Sequence, residues 1–340
     1  MEDLNMAELR EIMPGWGGVS HAGIATFLRA PILEEVSTEE LRARKVKAAV
    51  FGVPFDAASI SRPGSSLGPR AIRNSTSGSG PYHFHYDVDI VKELNLHDCG
   101  DSFIALGDAK KTMENGADVA SEILKAGALP IILGGEHTVT LAGTLAVDRV
   151  LKGKYGFIHL DAHLDAEKEA IQYFHGSQVA RTSELEAFPC ENMVLIGQRG
   201  TSNPKSHFQF VKDNGITCFT MYQVVDIGFA NVIDQALAIA TRGTDGFYLS
   251  IDMDVLEAAH VPGAQAFQCF GITTRELWSV LPKFGFNDKL VAFDVVEVVP
   301  AYDRSEMTAM TAKSICIELL AARATIVDKI KPPPVKRGGQ

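Results

Sequence analysis

The stretch Phe157-Ile158-His159-Leu160-Asp161-Ala162-His163-Leu164-Asp165 decides how the rest of this chain is read. It begins as an apolar β run and ends in three groups able to ligate a metal. In extended backbone, side chains two residues apart point the same way. Asp161, His163 and Asp165 therefore converge on one point just past the end of a buried strand. Two further stretches share the design: Gly246–Ile251 runs into Asp252-Met253-Asp254, and Leu129–Leu133 runs through Gly134-Gly135-Glu136 into His137. Parallel α/β sheets bind their ligands at the carboxyl ends of strands. Three strand ends thus offer His137, Asp161, His163, Asp165, Asp252 and Asp254, a set suited to two metal ions.

Working outward, the chain alternates strand and helix patterns. Strand-like runs occur at 47–53, 129–133, 155–160, 193–197, 216–219, 247–251 and 290–295. Helical patterns lie at 110–125, 138–150, 205–213, 231–241, 274–282 and 306–329. Such alternation predicts a mainly parallel sheet covered by helices on both faces. No linker divides the chain, so a single domain is expected over 46–331, preceded by an arm (1–45) and followed by a Pro-rich tail (332–340). The Ser/Gly-rich segment 74–86 reads as a long loop. Its His83 and His85 have no third ligand nearby and read as ordinary loop histidines.

The bulk properties exclude several classes. A net charge of −10, with no basic cluster, argues against nucleic acid and is compatible with a cationic substrate. No apolar run is long enough to cross a bilayer. Five scattered cysteines without a CxxC pair, and an acidic start lacking an apolar core, read as reduced thiols in a cytoplasmic protein. Cys269 has no base partner to make it a nucleophile.

Carboxylates and imidazoles without thiolates favour divalent ions such as Mn²⁺, Fe²⁺, Co²⁺ or Ni²⁺ over Zn²⁺. Two such ions about 3.5–4 Å apart can share and acidify a water. The reaction class is hydrolysis at an electrophilic carbon. His159 keeps the alternation parity of Asp161 one step deeper and reads as a hydrogen-bonded core residue beneath the ions.

Here the chain resembles a family. Gly134-Gly135-Glu136-His137, Asp161-Ala162-His163-Leu164-Asp165 and Ser250-Ile251-Asp252-Met253-Asp254 are similar to the three metal motifs of the ureohydrolases, the arginase and agmatinase superfamily. Gly52–Asp56, Arg62-Pro63-Gly64, Gly68–Arg73 and Phe293–Asp303 extend the resemblance, nearer to agmatinases than to arginases. The resemblance implies a three-layer α/β/α fold with an eight-stranded, mainly parallel sheet. It implies two divalent transition-metal ions, Mn²⁺ by resemblance with Ni²⁺ as the alternative, and urea release from a small cationic guanidino substrate. It also implies trimers or hexamers, homo- or hetero-oligomeric. By resemblance Glu297 pairs with the substrate guanidinium, and His175 is a mobile proton shuttle.

The departures fall around the substrate. Glu136 stands where the family has aspartate, the 165–175 loop is shorter, and the segment after Asp254 is replaced. That segment presents Val261, Ala264, Ala266, Phe267, Cys269 and Phe270, with Phe174 beside the shuttle. An apolar, aromatic rim suits a compact or N-alkylated guanidine or a biguanide such as metformin, rather than a second localised charge. Phe174, Glu257, His260, Phe267 and Phe270 are the candidate substrate-binding residues, Glu257 as an acceptor if it turns inward. The competing readings are an ordinary agmatinase, a ureohydrolase-like subunit supporting an active paralogue, and the one-ion zinc deacetylase branch. Asp165, His137 and Glu297 together speak against the last.

Overall fold

The computed structural model describes residues 23–169 and 172–336. Eight strands form one sheet: β1 (Ala48–Val53), β2 (His97–Asp101), β3 (Leu129–Gly134), β4 (Tyr155–Leu160), β5 (Met193–Ile196), β6 (Thr217–Phe219), β7 (Gly246–Asp252) and β8 (Leu290–Val296). Their order is β2-β1-β3-β8-β7-β4-β5-β6, and every pairing is parallel.

Alternation sorts each strand between two apolar layers. Val50, Ile131, Ile158, Leu160, Leu249 and Phe293 face one core; Phe51, Ile132, Phe157, Leu195 and Tyr248 face the other. Helices α1 (Gly68–Ser75), α4 (Phe229–Ala240), α5 (Thr274–Gly285) and α6 (Met307–Ala324) cover the first face. Helices α2 (Ala109–Ala126) and α3 (Thr140–Val150) cover the second. Both sheet faces are therefore buried, which is why the central strands are apolar runs rather than alternating ones.

Strand β2 carries no apolar run and was not among the strands expected from sequence. Its residues, His97-Asp98-Cys99-Gly100-Asp101, are held by charge instead. Arg73 on α1 grips Asp98 with two hydrogen bonds (2.9 and 3.0 Å), Asp101 with a third (2.7 Å) and the Gly100 carbonyl with a fourth (2.7 Å). Planar guanidinium matches a carboxylate in this paired way, and burial strengthens the match.

Other boundaries moved. The helix expected over 306–329 ends at Ala324, followed by a short turn at Val327–Lys329. The 274–282 helix runs on to Gly285, its start fixed by a Thr273/Glu276 capping box. The 74–86 loop holds the end of α1 and half of a small hairpin, Tyr82–His83 against Val88–Asp89. His83 lies 3.2 Å from Glu318, and His85 is exposed. Of the expected arm, residues 1–22 lie outside the described residues, while Phe27, Leu28, Leu33 and Leu41 are buried in the two cores. No single helix among the described residues is long and apolar enough to cross a membrane.

Candidate metal centre

Strands β3, β8, β7 and β4 are adjacent at the middle of the sheet, and their carboxyl ends carry His137, Glu297, Asp252 and Asp161. His137 Nδ1 lies 2.9 Å from Asp161 Oδ2, 3.0 Å from Asp252 Oδ2 and 3.2 Å from Asp165 Oδ2. His163 Nδ1 lies 2.9 Å from Asp254 Oδ2 and 3.3 Å from Asp161 Oδ1. All six residues singled out in the sequence thus meet at one point. His137, His159, Asp161 and Asp165 form one group able to hold a cation, and Asp161, His163 and Asp254 form another. Asp161 belongs to both.

The donors fit metal ions on a physical test. His137 Nδ1, Asp161 Oδ2 and Asp254 Oδ2 are buried and lack a hydrogen-bond partner despite their closeness. Leaving such atoms unpaired is costly, and a shared cation ties them together. The charge balance agrees. Burial, with Asp254 and Asp161 alongside, pushes the Asp252 carboxyl well up. Burial works against charge on His163, yet Asp254 and Asp161 raise its imidazole to about 12. So many carboxylates stay buried only with positive charge among them.

Local backbone sets this geometry. The Asp252 and Asp161 side chains accept the backbone N–H groups of Asp254 and His163, two residues on, curling each motif inward. Asp254 Oδ1 accepts the Ala162 N–H at 2.9 Å, cross-linking the second and third motifs. Gly135 permits a close approach: a Cβ there would sit 2.0 Å from the Phe55 carbonyl oxygen. Asp165 (φ +46°) and Glu297 (φ +70°) occupy the left-handed region, which costs non-glycine residues energy and gathers at functional sites.

Several supporting residues were not legible in the sequence. His137 Nε2 lies 2.9 Å from Ser250 Oγ, which donates to Asp294 Oδ1 at 2.8 Å; Tyr248 holds the other Asp294 oxygen at 2.7 Å. Ser250 thus engages Nε2 and leaves Nδ1 toward the centre. Gln178 donates to Asp165 Oδ2. Arg199 clamps the carbonyls of Asp254, Leu256, Gln268 and Cys269, joining the replaced segment to the third motif. Ser250 sits inside a strand motif, but nothing local marks the other four.

His159 is fully buried, as expected, and stacks on His137 with ring centroids 4.8 Å apart. Its Nε2 lies 3.2 Å from Asp161 Oδ2 without hydrogen-bond geometry, which places it within a donor group rather than simply beneath one. His175 Nδ1 stands 3.5 Å from Glu297 Oε1, and its Nε2 faces the Ile60 N–H at 3.3 Å. Burial disfavours charge on this ring, but Glu297, then Asp165 and Glu136, raise it to about 9. Glu136 is itself fully buried with both oxygens unpartnered. Burial, reinforced by Glu297, pushes its carboxyl up to about 8.

A cavity of about 680 Å³ opens over the centre, lined by His163, Asp165, Asp252, Asp254, His175 and Glu297. Of the candidate substrate residues it includes Phe174 and Phe267. The other three lie elsewhere. Glu257 turns away to accept the Gly271 N–H (3.0 Å), and His260 accepts the Thr274 N–H at the start of α5 (3.2 Å). Phe270 projects into solvent from a left-handed residue. Val261 and Ala264 are fully buried in the core. The expected apolar rim is therefore narrower than the sequence suggested, and Arg62, Glu167, His207 and Gln265 share the wall.

Known proteins resemble this chain in sequence and fold. The arginase-family model matches residues 46–322. An agmatinase of Salmonella typhi is 34% identical over 278 residues, 81% of this chain and 87% of the relative. Proclavaminate amidino hydrolase from Streptomyces clavuligerus superposes with a TM-score of 0.81 at 27% identity, covering 90% of this chain and 99% of the other. Formimidoylglutamase from Bacillus subtilis superposes with a TM-score of 0.79 at 26% identity, covering 88% and 92%. These matches run along nearly the whole chain, which belongs to the arginase family of hydrolases, on its agmatinase-like branch.

Proposed function

We propose that this chain hydrolyses a guanidino-type C–N bond at a dinuclear metal centre, with a preference for compact or N-alkylated guanidines or biguanides. The observation that carries the reaction is the convergence of His137, Asp161, His163, Asp165, Asp252 and Asp254 beneath a cavity that also contains Glu297 and His175. These six would hold two divalent ions, whose Lewis acidity makes water nucleophilic near neutral pH. Glu297 binds the guanidinium. Its Oε1 is anchored by the His137 N–H (2.8 Å), and its Oε2 is buried without a partner, which supports a role as acceptor for the guanidinium. His175 holds a proton beside Glu297 and delivers it to the departing amine.

Two features support the substrate preference. Phe174 and Phe267 give the cavity aromatic surface, which suits a delocalised planar cation. Arg62 adds fixed positive charge to the same wall, against Phe267, and the nearby carboxylate of Glu167 already contacts His207 at 3.2 Å. A distal ammonium such as that of agmatine meets repulsion and an engaged acceptor there. The second reading is an agmatinase, which the agmatinase relatives favour. Comparing kcat/KM for agmatine, guanidinobutyrate, guanidine, N,N-dimethylguanidine and metformin, on Mn²⁺-loaded and separately Ni²⁺-loaded enzyme, decides between them. A tenfold advantage for agmatine, about 1.4 kcal/mol, overturns the compact-guanidine reading.

A further inference from the structure

We propose that Gln265 is a substrate-reading residue, its side-chain oxygen accepting one guanidino N–H while Glu297 Oε2 accepts another. The proposal rests on the guanidino reading above and names a contact that reading lacks. Gln265 is 1% exposed and lines the cavity. Its other polar groups are occupied. The backbone N–H donates to the Glu297 carbonyl (3.1 Å), and the backbone carbonyl accepts from Arg62 Nε (3.0 Å). The side-chain amide nitrogen donates to Ser59 Oγ. Oε1 has no partner.

Glu297 repeats the pattern on the adjoining strand end. It is 1% exposed, with Oε1 taken by the His137 N–H and Oε2 without a partner. The Ala264–Val298 bridge and the Gln265–Glu297 backbone bond fix these two residues side by side. A buried acceptor without a donor costs stability, and two on one cavity wall await donors from a ligand. A guanidinium suits them, since it carries N–H donors in a fixed plane and no acceptor. Ser59 Oγ takes up the amide nitrogen, and the oxygen is the atom left open. The replaced segment after Asp254 thus supplies a neutral acceptor beside a charged one.

The test compares Gln265→Leu, Gln265→Glu and Ser59→Ala with the parent holoenzyme. Gln265→Leu keeps bulk and removes the acceptor. It is expected to raise KM for guanidino substrates at least tenfold with a smaller change in kcat, while metal content and Tm stay at parental values. Gln265→Glu, which keeps an acceptor oxygen, restores KM to within a few-fold. A purely structural role for the amide predicts that Ser59→Ala reproduces the Gln265→Leu defect; substrate reading predicts that Ser59→Ala is mild. A Gln265→Leu enzyme within twofold of the parent, or a Ser59→Ala enzyme as impaired as Gln265→Leu, overturns the proposal. Calorimetric titration with guanidinium chloride reads the contact without turnover. Binding by the parent, weakened at least tenfold in Gln265→Leu, supports it even if no urea is released, in which case only the proposed reaction fails. A parent that does not bind guanidinium overturns both.

Discussion

His175 and Glu297 stand 3.5 Å apart, and the carboxylate sets the working state of the ring. The neutral imidazole faces the Ile60 N–H with Nε2, so protonation gives up that weak contact, and the neighbouring carboxylates offset the loss. With its pKa raised to about 9, His175 is protonated at neutral pH and can act as an acid. The sign follows: kcat is flat below about pH 9 and falls above it as the ring loses its proton. Glu297→Gln removes the main charge raising that pKa, so the alkaline limb moves to lower pH, and KM rises. His175→Ala lowers kcat by about 10²–10⁴-fold with normal metal content. A kcat–pH profile of Glu297→Gln at saturating substrate that overlays the parent refutes the pairing.

At the scale of elements, β2 shows how an edge strand can be secured without apolar residues. Asp98 takes both bonds from Arg73 and also the Phe27 N–H at 2.8 Å, so one carboxylate ties α1, β2 and the segment before β1 together. Removing one partner of a buried pair leaves an uncompensated charge. Arg73→Ala is therefore expected to lower unfolding stability by about 3–5 kcal/mol, measured by urea denaturation of the holoenzyme. Loss of less than about 1 kcal/mol, the range of an exposed pair, removes this account of the edge. Seven strands were legible because burial on both faces demands apolar runs; β2 was not, because its partner Arg73 lies 25 residues from Asp98 and the spacing carries no signal.

For the whole molecule, the centre is both a site and a fastening. It joins the ends of β3, β4 and β7 through donors that repel one another without a cation. Ions that bind the native state alone stabilise it by mass action, about 2.7 kcal/mol at a hundredfold excess over Kd. Chelation should lower Tm, and restoring Mn²⁺ or Ni²⁺ should recover it; Asp252→Asn should lose most of the metal-dependent increment. A Tm unchanged by chelation, with metal analysis confirming its removal, would show that the donors are not a fastening.

The sequence by itself determined the α/β alternation, most of the sheet and the six converging donors. Each motif is a strand end followed by residues at alternate positions, so its geometry is written in local spacing. Only the tertiary structure decided what surrounds the donors. Glu257, His260 and Phe270 share a loop with Gln265, yet hydrogen bonds to Gly271 and Thr274 turn the first two away from the cavity, while Gln265 is held in its wall. Gln265 meets Ser59 across 206 residues, and His137 meets Ser250 across 113. Such pairs depend on which strands become neighbours in the sheet, and no local period in the chain records that choice.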